Sequence, residues 1–226
     1  MAGRPFIDWT WIAGNLDDIA GRTVQHLYIA AIAVALGFIV AFLLVLAIRR
    51  LPVLGGPIVG LAGLLYTIPS IALFAGLVPV TGLSLVTAEI PLIIYTLLIY
   101  VRNIVAGFDA VPSETLEAAD AMGFTRGRRL LRIELPLAAP LIITGVRIAS
   151  VSTIGLVVVA ALIGDNYGGL GFFIRDGINT FFPTKVYVGA IMAVALALIA
   201  DALLVGLERL ATPWARARAS DAAGAR

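Results

Sequence analysis

The sequence contains no cysteine and only one histidine, His26. Without cysteine the chain can form neither disulfides nor thiolate metal sites. A single histidine leaves little basis for a histidine-based zinc site or a histidine-dependent catalytic triad. The nucleotide-binding pattern G-x-x-x-x-G-K-[ST] is also missing, because the only lysine, Lys185, follows Thr184 rather than a glycine-rich loop. We therefore expect a chain that is not an enzyme, holds no metal and binds no ATP or other cofactor of its own.

Charged residues are scarce as well. They make up 13% of the 226 residues, against about 25% in soluble domains. Hydrophobic residues make up 61%, and the mean hydropathy is +1.03. Because a soluble domain of this size could not cover so much apolar surface, membrane lipid is the expected surrounding. The net charge of +2 is too small to indicate a nucleic-acid partner.

The spacing of uncharged runs predicts an all-α integral membrane protein with about five transmembrane helices. A spanning helix needs roughly 20 apolar residues. The segments that satisfy this requirement are residues 23–48, 57–78, 85–108, 136–163 and 186–207. Residues 78–82, with the sequence VPVTG, supply the turn between the second and third spans.

The arginines predict the orientation of these spans. They follow the first span as Arg49 and Arg50, cluster at 126–132 between the third and fourth, and recur at 209–226 after the fifth. Since short cytoplasmic loops are enriched in Lys and Arg, all three regions are assigned to the cytoplasm. This arrangement predicts a multi-pass protein of the cell membrane with its N-terminus outside and its C-terminus in the cytoplasm.

The chain divides into three regions by this reasoning. Residues 1–22 mix tryptophans with acids, which is typical of an amphipathic segment on the outer membrane surface. Residues 23–210 form the transmembrane domain. Residues 211–226 form a small, polar cytoplasmic tail that we expect to be disordered.

The most charged part of the chain is the loop at about 109–135, between the third and fourth spans. The sequence PSETLEAADAM predicts a short helix, with Glu114 in the first turn where the helix dipole favours an acid. Leu116, Ala119 and Met122 form a narrow apolar stripe, and Gly123 ends the helix. Such a helix suits docking into a groove on another protein. A basic loop that only fixes the topology is the alternative.

The segment EAADAMGFTRGRRLLRIELPLAAP resembles the EAA loop of ABC importer permeases. The matching positions are Glu117, Ala118, Ala119, Gly123, Ile133, Leu135 and Pro136. The resemblance implies that this loop, with Met122, couples the chain to a separate ATPase subunit that binds the ATP.

Other stretches resemble the glycine betaine/carnitine/choline permease subunits, and the likeness runs through nearly the whole chain in order. These stretches are residues 23–30, 66–79, 100–119 and 162–179. The resemblance implies a permease domain over residues 23–210 with a type I importer fold. It also implies a second permease, identical or related, and an extracytoplasmic solute-binding protein. The implied substrates are osmoprotectants such as glycine betaine, choline, carnitine or proline.

Several residues inside the spans have candidate roles. Arg147 and Asp201 are costly in lipid, so we expect a structural ion pair, with a solute-path or gate charge as the alternative. Tyr66, Phe74 and Tyr95 could attract quaternary ammonium groups through cation–π contacts, or be ordinary packing aromatics. Pro69 breaks the second span, and helices that line transport paths are often broken. The glycine-rich segment GDNYGGLGFF, from residue 164, is either a flexible turn or a mobile outer gate.

The sequence leaves one functional alternative in a different class. A secondary transporter or channel for small solutes would need no ATPase, and the charged loop would then be dispensable. A membrane enzyme is disfavoured, because the G-x-S-x-G pattern is absent and His26 is predicted near the outer surface.

Overall fold

The computed structural model describes residues 6–162, 164 and 167–212, and nearly all of them are helical. The expected 211–226 tail lies outside these residues apart from its first two positions. The helices are α1 (Trp9–Gly14), α2 (Leu16–Arg50), α3 (Gly55–Thr67), α4 (Ser70–Thr81), α5 (Leu85–Asp109), α6 (Ser113–Ala121), α7 (Arg126–Arg129), α8 (Leu135–Ala160), α9 (Gly171–Asn179) and α10 (Pro183–Ala211). A 3₁₀ turn (Pro52–Leu54) precedes α3, and one π-helical turn (Leu130–Glu134) joins α7 to α8. The all-α membrane fold is confirmed.

Four long helices, α2, α5, α8 and α10, are apolar enough to cross a membrane. The second expected span has a different shape, because α3 and α4 meet at an angle of 94°. The break at Pro69 was predicted, and its cause is local. Proline lacks the backbone N–H that would continue α3 and disfavours a helical conformation at Ile68, whose ψ is 128°.

The bent pair still carries the chain from one side of the bundle to the other. Helices α2 and α5 run parallel, since the Tyr100 hydroxyl donates to the Val34 carbonyl and Arg49 lies 4.1 Å over the Phe108 ring. The α3–α4 pair therefore begins where α2 ends and finishes where α5 begins. The Thr81 and Thr87 hydroxyls, 2.6 Å apart, mark that second junction. The described residues thus provide four straight candidate spans and a fifth formed by the broken α3–α4 pair.

Helix α5 lies at the centre of the bundle, packed between α2 and α8. Gly37 on α2 allows the closest approach, because a Cβ there would lie 1.9 Å from the Thr96 hydroxyl. On the α8 side, Gly145 packs against the Asn103 side chain and Gly107 against the Ala138 backbone. Tyr100 and Leu92 are fully buried in the resulting core. Helix α10 packs on α8 and α9 and leaves much of its other surface exposed.

The N-terminal region differs from the expected surface helix. The first spanning helix begins at Leu16 rather than at Thr23, because Asp17 and Asp18 fill its first turn, where the helix dipole stabilises acids. The preceding helix α1 packs on the protein through Trp11, whose ring makes edge contacts with Phe173 and Phe182. Trp9, by contrast, is 72% exposed.

Candidate functional site

Arginines gather at one end of the bundle, where α2 and α5 finish and α8 begins; we call this the basic end. Helix α6 lies there, in the connection between α5 and α8, as the charged loop predicted. Glu117 and Ala118 are exposed on it, and Met122, just past its last turn, is 68% exposed. Leu135 and Pro136 begin α8 and are half-buried. Pro136 sits in the first turn of α8, where its missing N–H costs least.

Leu116, Ala119 and Met122 do not form one exposed stripe on α6. The prediction that all three face a partner is wrong. Ala119 is fully buried and Leu116 is partly buried, whereas Met122 is exposed. The reason is that α6 packs against α7 and the π-helical turn of its own chain, and Ala119 is buried there. The exposed surface of α6 therefore includes Glu117 and Ala118, with Met122 just beyond its last turn.

Gly123 ends α6 in a left-handed conformation, with φ of 77°. Its N–H donates to the Asp120 carbonyl at 3.0 Å, and the Phe124 N–H donates to the Ala119 carbonyl at 3.1 Å. These two bonds form a Schellman motif, which satisfies the last carbonyls of the helix and requires positive φ at the glycine. The predicted helix break is therefore a specific turn that directs the chain back toward α8.

A network of charged side chains ties α6 to the spans. Arg129 Nη1 lies 2.5 Å from Asp120 Oδ2 on α6, and Arg129 Nε lies 2.9 Å from Glu134 Oε1. Glu134 also pairs with Arg49 at the end of α2. The Glu134 side chain is only 4% exposed, and it lies at the end of the π-helical turn. Sequence reasoning missed this network. Its only signal in the sequence is that Glu134 is an acid close to four arginines.

Arg147 on α8 contacts two acids on α10 rather than one. Its Nη2 lies 3.0 Å from Asp201 Oδ1, and its Nη1 lies 3.1 Å from Glu208 Oε2. The Arg147–Asp201 contact is the one that the sequence suggested. Glu208, seven positions along the same helix face, was not anticipated because it lies near the end of the last span, where an acid can simply reach water.

The four residues suggested for a solute path lie around the break between α3 and α4, but not in equivalent surroundings. Tyr66 is 44% exposed and makes an edge contact with Tyr95 at 5.7 Å between ring centroids. The Tyr95 hydroxyl donates to the Ile68 carbonyl, which the break at Pro69 leaves without a helical partner. Phe74 is 2% exposed and packs in the core with Ile29, so it lines no path in this structure.

His26 holds the opposite end of the bundle together. Its Nε2 lies 2.8 Å from the Ile154 carbonyl on α8, and its Nδ1 accepts a bond from the Leu170 N–H at 3.3 Å. Gly169, with φ of 49°, packs directly against it, and a Cβ there would lie 2.6 Å from His26 Cβ. This part of the glycine-rich segment is therefore packed against α2. Asp165 and Asn166 of the same segment lie outside the described residues. Among the described residues no cluster of His, Asp and Glu could hold a metal ion.

Comparisons with known proteins agree with this architecture. Residues 33–212 match the family model described as the binding-protein-dependent transport system inner membrane component. The chain is 35% identical over 204 residues to the glycine betaine/carnitine/choline transport system permease protein OpuCB of Bacillus subtilis, covering 90% of this chain and 93% of that protein. It is 37% identical over 208 residues to the osmoprotectant import permease protein OsmW of Salmonella typhimurium, covering 90% and 96%.

A solved structure shares the fold. The inward-facing MetNI methionine ABC transporter superposes with a TM-score of 0.74 at 18% sequence identity, covering 86% of this chain and 96% of the matched chain. At that identity the likeness concerns the arrangement of helices. It confirms the expected type I importer permease fold.

Proposed function

The chain belongs to the family of inner membrane components of binding-protein-dependent transport systems, and from that premise we propose that it imports osmoprotectants of the glycine betaine, choline or carnitine type. It is a membrane transport permease, and a separate ATP-binding subunit would supply the energy. The substrate class is supported by the substrates for which relatives 35–37% identical over about nine tenths of the chain are named. The comparisons do not favour the secondary transporter or channel.

The observation that carries the coupling proposal is that α6 is exposed on one side and joined to the spanning helices by ion pairs. Its Glu117, Ala118 and Met122 are exposed, yet Arg129 joins the same helix to Glu134, and Glu134 is joined to α2 through Arg49. A displacement of α6 by a docked ATPase would therefore act directly on two spanning helices. In the proposed site Gly123 sets the turn, while Ala119, Leu135 and Pro136 hold the loop to the bundle.

The remaining partners follow from the same proposal. A second permease, identical or related, would complete the solute path, and an extracytoplasmic solute-binding protein would deliver the solute. The ATPase would dock at the basic end, which places that end and the C-terminus in the cytoplasm and the N-terminus outside. The arginine distribution independently supports this orientation.

A modest role in the solute path is proposed for the break between α3 and α4. Broken helices in transporters expose backbone carbonyls and small pockets within the membrane. Tyr66 is an aromatic side chain that remains exposed there. Pro69 interrupts the helix, and Tyr95 stabilises the break through its bond to the Ile68 carbonyl. Cation–π attraction by an exposed tyrosine is worth about 0.5–1 kcal/mol.

The experiment that tests the function is solute uptake by proteoliposomes. The tagged chain is purified with the subunits that accompany it, reconstituted, and supplied with the co-purified or separately expressed solute-binding protein. We expect uptake of radiolabelled glycine betaine or choline when ATP is present on the ATPase side, and none with a non-hydrolysable analogue. Uptake that follows a sodium or proton gradient and ignores ATP would instead identify a secondary transporter.

A further inference from the structure

A charged groove lies between α8 and α10, in the part of the bundle that crosses the membrane. At 1.5 Å per residue, Arg147 lies about 18 Å along α8 from its start at Leu135. By the same measure Asp201 lies about 15 Å from the end of α10. Because Arg147 also contacts Glu208, near the end of α10, the group lies in the half of the hydrocarbon layer nearer the basic end.

The charge of Arg147 does not balance those of its two acidic partners, although only Asp201 of the two lines the groove. Arg147 is shared between Asp201 and Glu208, so the group contains one positive and two negative side chains. Asp201 is also the most open of the three, with 39% of its side chain exposed against 27% for Arg147. The groove therefore offers a carboxylate whose charge is only partly neutralised.

Lipid is a poor covering for such a group. An ionised side chain inside the hydrocarbon layer is costly, and charges found there usually face a bundle interior or a water-filled path. The rest of the groove wall is mostly apolar, and Thr144 and Ser152 are its uncharged polar residues. Its volume of about 440 Å³ falls within the usual 300–1,000 Å³ of small-molecule sites.

We propose that this groove is a segment of the solute path between two permease copies, and that Asp201 receives the quaternary ammonium group of the passing solute. The inference rests on the proposed importer function and adds to it a site within the permease. A quaternary ammonium group has no proton to donate, so electrostatic attraction to a carboxylate is the contact open to it here. Arg147 holds Asp201 in place, keeps the attraction weak enough for release, and can meet the carboxylate of a zwitterionic solute.

The test uses the absence of native cysteine. Ser152→Cys places a single thiol in the groove wall of the assembled importer in membranes. It is treated with two methanethiosulfonate reagents of similar size, one bearing a trimethylammonium group and the other a sulfonate. We expect the cationic reagent to react about tenfold faster, the effect of one net negative charge about 10 Å away. Adding Asp201→Asn should remove the preference, and Arg147 stays paired with Glu208 in that variant.

A matched control is Ile199→Cys, because Ile199 is 58% exposed on α10 but does not line the groove. We expect slow reaction there and no charge preference. The proposal is overturned if the thiol at position 152 reacts no faster than the control, or if Asp201→Asn leaves the preference intact, as a purely structural ion pair would. Uptake by the unmodified importer is measured separately. Failure of that uptake counts against the importer function, not against the groove.

Discussion

Replacing Gly123 with valine is expected to reduce solute uptake by about tenfold or more, while the spans still fold and insert. Gly123 has φ of 77°, a conformation that costs a residue with a side chain roughly 1–2 kcal/mol and a β-branched one more. To avoid that conformation the chain must give up the two Schellman hydrogen bonds that end α6. The exposed docking residues Glu117, Ala118 and Met122 would then change direction relative to the bundle.

The matched control for this substitution is Gly127→Val. Gly127 lies in the same loop, is exposed, has no positive φ, and a Cβ there would meet nothing within 4 Å. We expect near-normal uptake for this variant. Uptake and co-purification of the ATP-binding subunit are measured for both. Equal losses in the two variants would mean that the loop tolerates no valine at all, and normal uptake by Gly123→Val would remove the coupling role.

Replacing Glu134 with glutamine is expected to give the largest loss of stability among single charge changes at the basic end. The variant leaves Arg49 and Arg129, which are 30% and 22% exposed, without their shared buried carboxylate. Losing hydrogen bonds to a charged group costs about 1.5–3 kcal/mol. The free energy of unfolding in detergent should fall by about that amount.

The control is Asp120→Asn, which removes the other acid from Arg129. The Asp120 side chain is 57% exposed, and exposed ion pairs contribute only about 0–1 kcal/mol. A small change for Asp120→Asn beside a large one for Glu134→Gln is the expected outcome. If the two variants lose similar stability, Glu134 does not anchor the loop.

The features that sequence alone predicts well are those set by local chemistry. Long uncharged runs mark the four straight spans because a lipid-facing helix cannot include many charges. Gly123 and Pro69 mark turns because one permits positive φ and the other removes a backbone donor. The helix α6 follows from its own residues, and its observed bounds, Ser113–Ala121, fall within the predicted segment.

The features that sequence misses depend on contacts between distant segments. Nothing near Glu134 indicates that Arg49, on another helix, will pair with it. His26 likewise gives no local sign that Ile154 and Leu170 will supply its hydrogen-bond partners. The burial of Ala119 depends on how the chain folds back after Gly123, so periodicity alone assigned it to the wrong surface.

The size of the bend between α3 and α4 also needed the structure. Proline predicts that a helix is interrupted, but the angle is set by what satisfies the freed backbone groups. Here the Tyr95 hydroxyl from α5 bonds the Ile68 carbonyl and helps to hold the two helices apart at 94°. That contact joins residues on different helices, so the sequence around Pro69 predicts the break but not its angle.

The central claim, that the exposed surface of α6 docks on an ATP-binding subunit, is tested most directly by cross-linking from Met122. Met122→Cys introduces a single thiol at an exposed position, because the chain has no cysteine of its own. The thiol is modified with a maleimide that carries a photoreactive group, and the reconstituted importer is illuminated. We expect a cross-link to the ATP-binding subunit, and a much weaker cross-link after Gly123→Val is added. The cross-link would also place the basic end in the cytoplasm. ATP-driven uptake that persists with no cross-link from this position to the ATP-binding subunit would contradict the claim.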